Sequence, residues 1–246
     1  MDVIPVLDLM GGQVVHGVQG RRERYRPVES VLTSSSEPLP VAQALQRETG
    51  CTTFYLADLD AIHGKGRHDR ALRTLADALV AEFWVDAGTA TAASAIRLRD
   101  AGATRVIVGS ETLPSLEALR EIQDALLPEY PLVSVDAGVD GVLSLCPSLR
   151  GLEPVAALEV LCGEGLSQVI LLSLDQVGTG SGPDWAVLEA ARAAFPYLSL
   201  VAGGGVRTPS DLQRLAELGV AGALVATSLH GGWIVGADLR ELRGGR

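Results

Sequence analysis

The chain is poor in the residues that build disulfide frameworks, metal sites and polycationic surfaces. Its three cysteines are Cys51, Cys146 and Cys162. An odd number without a CxxC pair argues against both a disulfide framework and a structural zinc site. Lysine occurs once, as Lys65, so arginine carries nearly all of the positive charge. We therefore expect a reducing, cytoplasmic environment and no bound metal.

Positive charge is also outnumbered by negative charge. The 246 residues include 20 lysines and arginines against 30 aspartates and glutamates, a formal net charge of −10. Nucleic acids and anionic membranes are bound through positive surface fields, so this balance argues against both as partners. Residues 218–237 carry no formal charge, but glycines and His230 interrupt them, which favours a strand and a turn over a membrane helix. A small molecule is the expected partner.

Short apolar segments of strand character alternate with longer segments of helical period. The predicted strands are 3–7, 53–56, 83–85, 105–108, 132–135, 169–172, 198–202 and 221–225. The predicted helices between them are 41–48, 71–82, 92–101, 116–126, 154–163, 185–194 and 211–218. Eight strands that are apolar throughout are covered on both faces and close most naturally into an α/β (β/α)8 TIM barrel. An open, doubly wound sheet is the alternative.

An internal repeat favours the closed barrel. A shift of 117 positions superposes residues 100–110 (DAGATRVIVGS) on residues 217–227 (ELGVAGALVAT). A half-barrel leaves its strands exposed, so two copies that close on each other are the expected arrangement. We predict a single domain, 1–246, made of half-barrels at about 1–127 and 128–246.

Aspartates follow several predicted strands, at the barrel face where active sites of this fold lie. Asp8 and Asp136 occupy equivalent positions in the two halves and are expected to face each other across the barrel mouth. Opposed carboxyl groups suit general acid and base catalysis when burial separates their pKa values. We predict that Asp8 and Asp136 are the catalytic pair. A helix cap is the alternative role for a single aspartate at a strand end.

Glycines and hydroxyl groups follow the last two strands. In TIM barrels a phosphate commonly lies between the loops after strands seven and eight, held by accessible backbone N–H groups. The predicted phosphate-binding residues are Gly204, Gly205, Thr227 and Ser228. A run of glycines is also found in simple tight turns, which is the alternative.

The equivalent positions of the first half are acidic. The 117-residue shift places Asp86 where the second half has Gly203, and Glu111 where it has Ser228. Two negative charges in a partly desolvated cleft repel a phosphate. We therefore expect a second phosphate site to be weakened or reassigned.

Further residues at this face are possible substrate contacts. They are Asp60, Asp86, Gly109, Ser110, Asp175, Gly178 and Thr179.

The segment 10–40 carries four arginines, Arg22 among them, and is expected to be either a lid over an anionic substrate or a solvated loop. His16, His63 and His68 lack metal-ligand spacing, and no motif indicates a cofactor.

Five segments resemble the motifs of the histidine-biosynthesis barrels. They are IPVLDLMGGQVV (4–15), LADLD (56–60), VIVG (106–109), GT (178–179) and GGGV (203–206). This family comprises the phosphoribosylformimino-aminoimidazole carboxamide ribotide isomerase and the cyclase subunit of imidazole glycerol phosphate synthase. The resemblance spans the whole chain, and the isomerase is the more similar of the two.

The resemblance implies an Amadori rearrangement, in which an aminoaldose ribosyl phosphate becomes an aminoketose without a metal or organic cofactor. It also implies that Asp8 is the general base and Asp136 the general acid. The chain differs from the isomerase pattern at Leu172 and Val177, where the family has threonine and aspartate, and at residues 86–87. We therefore expect a divergent isomerase of a phosphorylated ribosyl or aminosugar metabolite, with one firm phosphate site.

Two alternatives remain open. One is an authentic ribotide isomerase of the histidine pathway that tolerates the substitutions on the sixth predicted strand. The other is a divergent member in the synthesis of methanopterin or methanofuran one-carbon carriers, with different chemistry, or a noncatalytic binder. The segments VDAG, VGSETL and LDQVGTGSGP are similar to such a branch.

Overall fold

Eight parallel strands close into a barrel, because the last of them pairs with the first. The computed structural model describes residues 1–244. The barrel strands are β1 (Asp2–Met10), β4 (Thr53–Asp58), β5 (Glu82–Asp86), β6 (Arg105–Gly109), β7 (Leu132–Gly138), β9 (Gln168–Ser173), β10 (Ser199–Gly203) and β11 (Gly222–Val225). The predicted TIM barrel is confirmed, and the open sheet is wrong.

Three short strands extend the sheet beyond the barrel. They are β2 (Gln13–His16), β3 (Arg26–Pro27) and β8 (Gly141–Val142). β2 pairs antiparallel with the end of β1, so that β1 runs two residues past Asp8. The segment after β1 therefore begins with a hairpin, followed by a 3₁₀ turn at Arg22–Arg24.

Helices cover the outside of the barrel. They are α1 (Pro38–Thr49), α3 (Asp69–Ala78), α4 (Ala92–Asp100), α5 (Leu116–Leu126), α6 (Pro154–Gly163), α7 (Trp185–Ala194), α8 (Pro209–Glu217) and α10 (Gly236–Gly244). Two short helices, α2 (Leu59–Ile62) and α9 (Thr227–His230), lie in the loops after β4 and β11. Among residues 1–244, no helix is both long and apolar enough to cross a membrane.

One predicted helix, 71–82, is wrong at its C-terminal end. Leu79 is extended, with φ −124° and ψ 134°, and Glu82 already begins β5. Leu79 and Phe83 are both buried. Their spacing of four residues therefore mimics a helical period across the turn.

The apolar core has two layers. The inner layer takes one buried residue from each barrel strand: Ile4, Tyr55, Trp84, Ile107, Leu132, Ile170, Val201 and Leu224. The outer layer lies between the strands and the helices. Because the inner layer fills the barrel, open space is left at the carboxyl ends of the strands, as is usual for this fold.

Two helices 117 residues apart begin with the same cap. In α4 the hydroxyl of Thr91 accepts the N–H of Ser94, and in α8 the hydroxyl of Thr208 accepts the N–H of Asp211; both form capping boxes. The sequence repeat thus has a counterpart in the backbone. The single domain and its halves stay a prediction, and residues 245 and 246 of the second half lie outside the described residues.

We expect Thr208→Ala to lower the free energy of unfolding by about 1 kcal/mol, because the first turn of α8 loses its side-chain acceptor. In a protein of this size that corresponds to a Tm about 2–4 °C lower. Thr208→Ser, which keeps the hydroxyl, is the matched control. Equal melting temperatures for the alanine and serine variants would contradict the cap.

Candidate active site

A cavity of about 210 Å³ opens at the carboxyl ends of the barrel strands. Its apolar walls include Val6, Tyr55, Ala57, Leu59, Ile62, Leu143, Leu172, Leu174, Val177, Val206, Leu224 and Trp233. Its charged groups are Asp8, Asp86, Glu111, Asp136 and Arg22. Arg22 is the one cationic side chain among the described residues that line it, so four acids share a largely apolar space with one base.

Asp8 projects from β1 beneath the hairpin that follows it. A Cβ on Gly17 would lie 2.8 Å from Asp8 Oδ2, so glycine leaves the space that this carboxyl group occupies. Burial raises the pKa of Asp8 to about 7, and the charge of Arg22 opposes the rise only in part. Asp8 is therefore a carboxyl group that exchanges its proton near neutral pH.

Asp136 projects from β7, in the equivalent place in the second half. Its carboxyl group is buried and accepts a hydrogen bond from the hydroxyl of Ser134 at 3.0 Å, and its Oδ2 lies 3.4 Å from the Ser110 hydroxyl. Burial is the main reason that its pKa rises to about 8, and the charges of Glu111 and Asp86 add to the rise. Asp136 thus retains a proton at neutral pH.

Asp86, at the end of β5, is the third aspartate of the cavity, and its side chain is buried. Its Oδ1 accepts the N–H of Gly88 at 3.0 Å. A Cβ on Gly109 would lie 2.8 Å from Asp86 Oδ2 and 3.7 Å from Asp136 Oδ2, so these two carboxyl groups are neighbours across Gly109. Burial raises the pKa of Asp86 to about 7, while the N–H of Gly88 and the hydroxyl of Tyr55 lower it.

Arg22 spans the acidic end of the cavity from the 3₁₀ turn. Its Nη2 lies 3.0 Å from Glu111 Oε1, and its Nη1 lies 3.1 Å from His63 Nδ1. Its Nε is buried and has no hydrogen-bond partner among residues 1–244. The segment predicted as a lid or a solvated loop therefore supplies one wall of the cavity.

The opposite end of the cavity is uncharged. Gly204 and Gly205 have φ of +95° and +82°, and a Cβ on either would collide with the carbonyl of Ser173 or Gly182. Among the described residues, neither amide has a hydrogen-bond acceptor. The hydroxyl of Thr227 lies 3.0 Å from His16 Nε2. This end presents unpaired N–H groups, which are typical of anion sites.

The cavity brings together some of the predicted site residues and leaves others aside. Those that line it are Asp8, Asp136, Asp86, Gly178, Gly204, Gly205 and Thr227. Those that lie outside its lining are Asp60, Gly109, Ser110, Asp175, Thr179 and Ser228.

Three of the residues outside the cavity lining form hydrogen bonds with other groups of the protein. Asp60 accepts the N–H of Gly11 at 2.7 Å. The Ser228 hydroxyl is buried and donates to the carbonyl of Val206 at 2.8 Å, so it is not free to donate to a ligand. The Thr179 hydroxyl donates to a neighbouring carbonyl within its own loop.

Tyr55 and Trp233 are among the lining residues that the sequence analysis missed. Tyr55 lies in the inner layer of the core, and the polar hydroxyl group of a tyrosine within a buried strand was the available signal. Trp233 follows α9 and is 54% exposed at the rim. Its position after two glycines gave no hint that it would turn back to the barrel mouth.

Residues 2–234 match the model of the family described as "Histidine biosynthesis protein". The 1-(5-phosphoribosyl)-5-(5-phosphoribosylamino)methylideneamino imidazole-4-carboxamide isomerase of Thermus thermophilus is 30% identical over 235 residues, which cover 95% of this chain and 96% of that protein. The isomerase of the same name from Natronomonas pharaonis is 32% identical, with 94% and 93% covered. A Methanocaldococcus jannaschii protein described as uncharacterized is 30% identical, with 98% and 97% covered.

We expect Asp136→Asn to stabilise the unliganded protein more strongly at higher pH. The unfolded carboxyl group ionises near pH 4, but the folded one keeps its proton to about pH 8. The folded state therefore binds more protons across this window, and stability falls as pH rises through it. Asparagine has no proton to lose, so the gain in Tm over the parent should grow by about 5 °C or more from pH 5 to pH 8.

Asp140→Asn, at an exposed turn after β7, is the control and should change Tm equally at both pH values. A gain from Asp136→Asn that is the same at both pH values would show that Asp136 is not desolvated.

Proposed function

The chain belongs to the histidine biosynthesis protein family, and on that basis we propose that it isomerises a phosphorylated ribosyl or aminosugar metabolite by carboxyl acid–base catalysis. The observation that carries the proposal is that Asp8 and Asp136, from equivalent strands of the two halves, line one cavity with pKa values of about 7 and 8. A base is most effective when ionised and an acid when protonated at the working pH. Near neutrality, Asp8 suits the first role and Asp136 the second.

The reaction is an aldose-to-ketose rearrangement of the Amadori type. Asp136 gives its proton to the ring oxygen of the cyclic aminoaldose as the bond from that oxygen to the anomeric carbon breaks. The amine nitrogen then forms a double bond to that carbon. Asp8 removes the proton of the adjacent carbon, which yields an enaminol. Asp8 returns its proton to the former anomeric carbon, and Asp136 recovers one from the enol oxygen, so the product is an isomer and both acids are restored.

The phosphate of the substrate binds at the uncharged end of the cavity. The free amides of Gly204 and Gly205 and the hydroxyl of Thr227 support this assignment. Anchoring one end of the substrate there leaves the sugar across the barrel mouth, between the two acids. Anchoring a remote group in this way is an established means of orienting the reacting atoms.

An authentic histidine-pathway isomerase is the second candidate. It is favoured by the relatives' printed names, which describe a substrate with two phosphoribosyl groups. Asp86 and Glu111 lie at the position of a second phosphate site, and their negative charge disfavours a second phosphate. We therefore place the divergent isomerase first.

We expect Asp8→Asn to lower kcat by about 10²–10⁴-fold, because general base catalysis contributes an effect of this size. The assay follows ketose formation from the phosphoribosyl aminoaldose of the relatives and from singly phosphorylated aminoaldoses. Asp140→Asn removes an exposed carboxyl group and should leave kcat unchanged. Full activity of Asp8→Asn would contradict the role of Asp8, and a folded wild-type protein inactive on every substrate would contradict the proposed function.

We expect Thr227→Val to raise KM about 10- to 100-fold with little change in kcat, because one hydrogen bond to a charged phosphate is lost. Thr227→Ser keeps the hydroxyl and is the matched control. An unchanged KM in the valine variant would remove Thr227 from the phosphate site.

A further inference from the structure

We propose that the substrate carries phosphate at one end only, and that its other end is an organic cation, an ammonium or amidinium group, received by Asp86. The inference rests on the proposed function, in which the phosphate lies at Gly204 and Gly205. It deepens that function by naming the chemistry of the opposite end. Neither the family match nor the relatives' names describe such a substrate.

The first observation is that the two halves use equivalent backbone amides differently. In the second half the amide of Gly205 has no acceptor among the described residues. The equivalent amide in the first half, that of Gly88, donates to Asp86 Oδ1 at 3.0 Å. Asp86 itself stands where the second half has Gly203. The carboxyl group of Asp86 thus takes a donor that a phosphate would need.

The hydroxyl group of the first half is also occupied. The Ser110 hydroxyl, equivalent to that of Thr227, is also committed: it donates to the Leu143 carbonyl at 2.9 Å and lies 3.4 Å from Asp136 Oδ2. The first half therefore leaves neither the Gly88 amide nor the Ser110 hydroxyl free for an anion.

The charge of this end also disfavours a second phosphate. Asp86 and Glu111 line it, and Arg22, the opposing cation, is already paired with Glu111. Bringing a phosphate dianion beside these carboxylates costs free energy, whereas a cation gains it, and the effect is larger in a space that excludes water.

The geometry indicates an organic cation rather than a metal ion. Among residues 1–244, no group of three or more histidine, cysteine or acidic side chains is arranged to hold a metal. The Oδ2 atoms of Asp86 and Asp136 instead lie around Gly109, where the absent side chain leaves room. An ammonium or amidinium group has several N–H donors and is suited to bind a buried carboxylate such as that of Asp86.

Binding of a cation should also release protons. Burial raises the pKa of the Asp86 carboxyl group to about 7 in the unliganded protein. A nearby positive charge favours the ionised form and lowers the pKa, so protons leave as the cation enters. A neutral ligand end would produce no such release.

The test compares three probes of equal chain length by isothermal titration calorimetry: aminobutyl phosphate, butyl phosphate and butane bisphosphate. We expect the amine to bind about tenfold or more tightly than the alkyl phosphate, since a charged hydrogen bond contributes this much, and the bisphosphate to bind most weakly. Titrations in buffers of different ionisation enthalpy should reveal proton release for the amine alone. Equal affinity of the amine and the alkyl phosphate, or tighter binding of the bisphosphate, would overturn the inference.

Two variants complete the test. Asp86→Gly restores the residue of the second half and should abolish the advantage of the amine while raising affinity for the bisphosphate. Asp86→Asn keeps the side-chain volume, so it replaces the glycine variant if that one does not fold, and it too should lose the advantage. Asp140→Asn removes an exposed acid and should leave all three affinities unchanged. Retention of the amine preference in both Asp86 variants would contradict the inference.

Failure of this inference is distinguishable from failure of the proposed function. If butyl phosphate binds and the amine adds nothing, the phosphate site stands and the cation site is wrong. If none of the three probes binds, the phosphate site of the proposed function is wrong as well.

Discussion

The free energy required to bury carboxyl groups at the barrel mouth is the constraint on which the site depends. Asp8, Asp86 and Asp136 lie where the inner apolar layer ends, and burial raises the pKa of each. A carboxyl group in water is fully ionised at neutral pH and is a poor proton donor. The same desolvation that destabilises the fold therefore creates groups that exchange protons under neutral conditions. The closed barrel tolerates this cost because its strands and helices bury a large apolar core.

The two halves place different chemistry on the same backbone plan. Both have a capped helix after their third barrel strand, at Thr91 and Thr208. In the second half, glycine at position 203 leaves the following amides free. In the first half Asp86 occupies that position and draws the amide of Gly88 to itself. One side chain thus decides whether the amides of the loop are free or occupied by a carboxyl group.

Much of the fold could be predicted because its signals are local or repeated. Apolar strands, helical periods and the 117-residue repeat predict the barrel, and the equivalence of Asp8 and Asp136 predicts that one cavity contains both. What could not be predicted is decided by tertiary contacts. Leu79 and Phe83 continue a helical period across a turn. The Ser228 hydroxyl bonds to a carbonyl 22 residues away, which no local pattern indicates.

The central claim is that buried carboxyl groups at the barrel mouth titrate near neutral pH. Carbon-13 NMR of the aspartate carboxyl groups, assigned with Asp8→Asn and Asp136→Asn, measures this directly across a pH titration. The account predicts that Asp8 titrates at about 7 and Asp136 at about 8. Titration of both near 4, the ordinary value for aspartate, would contradict it.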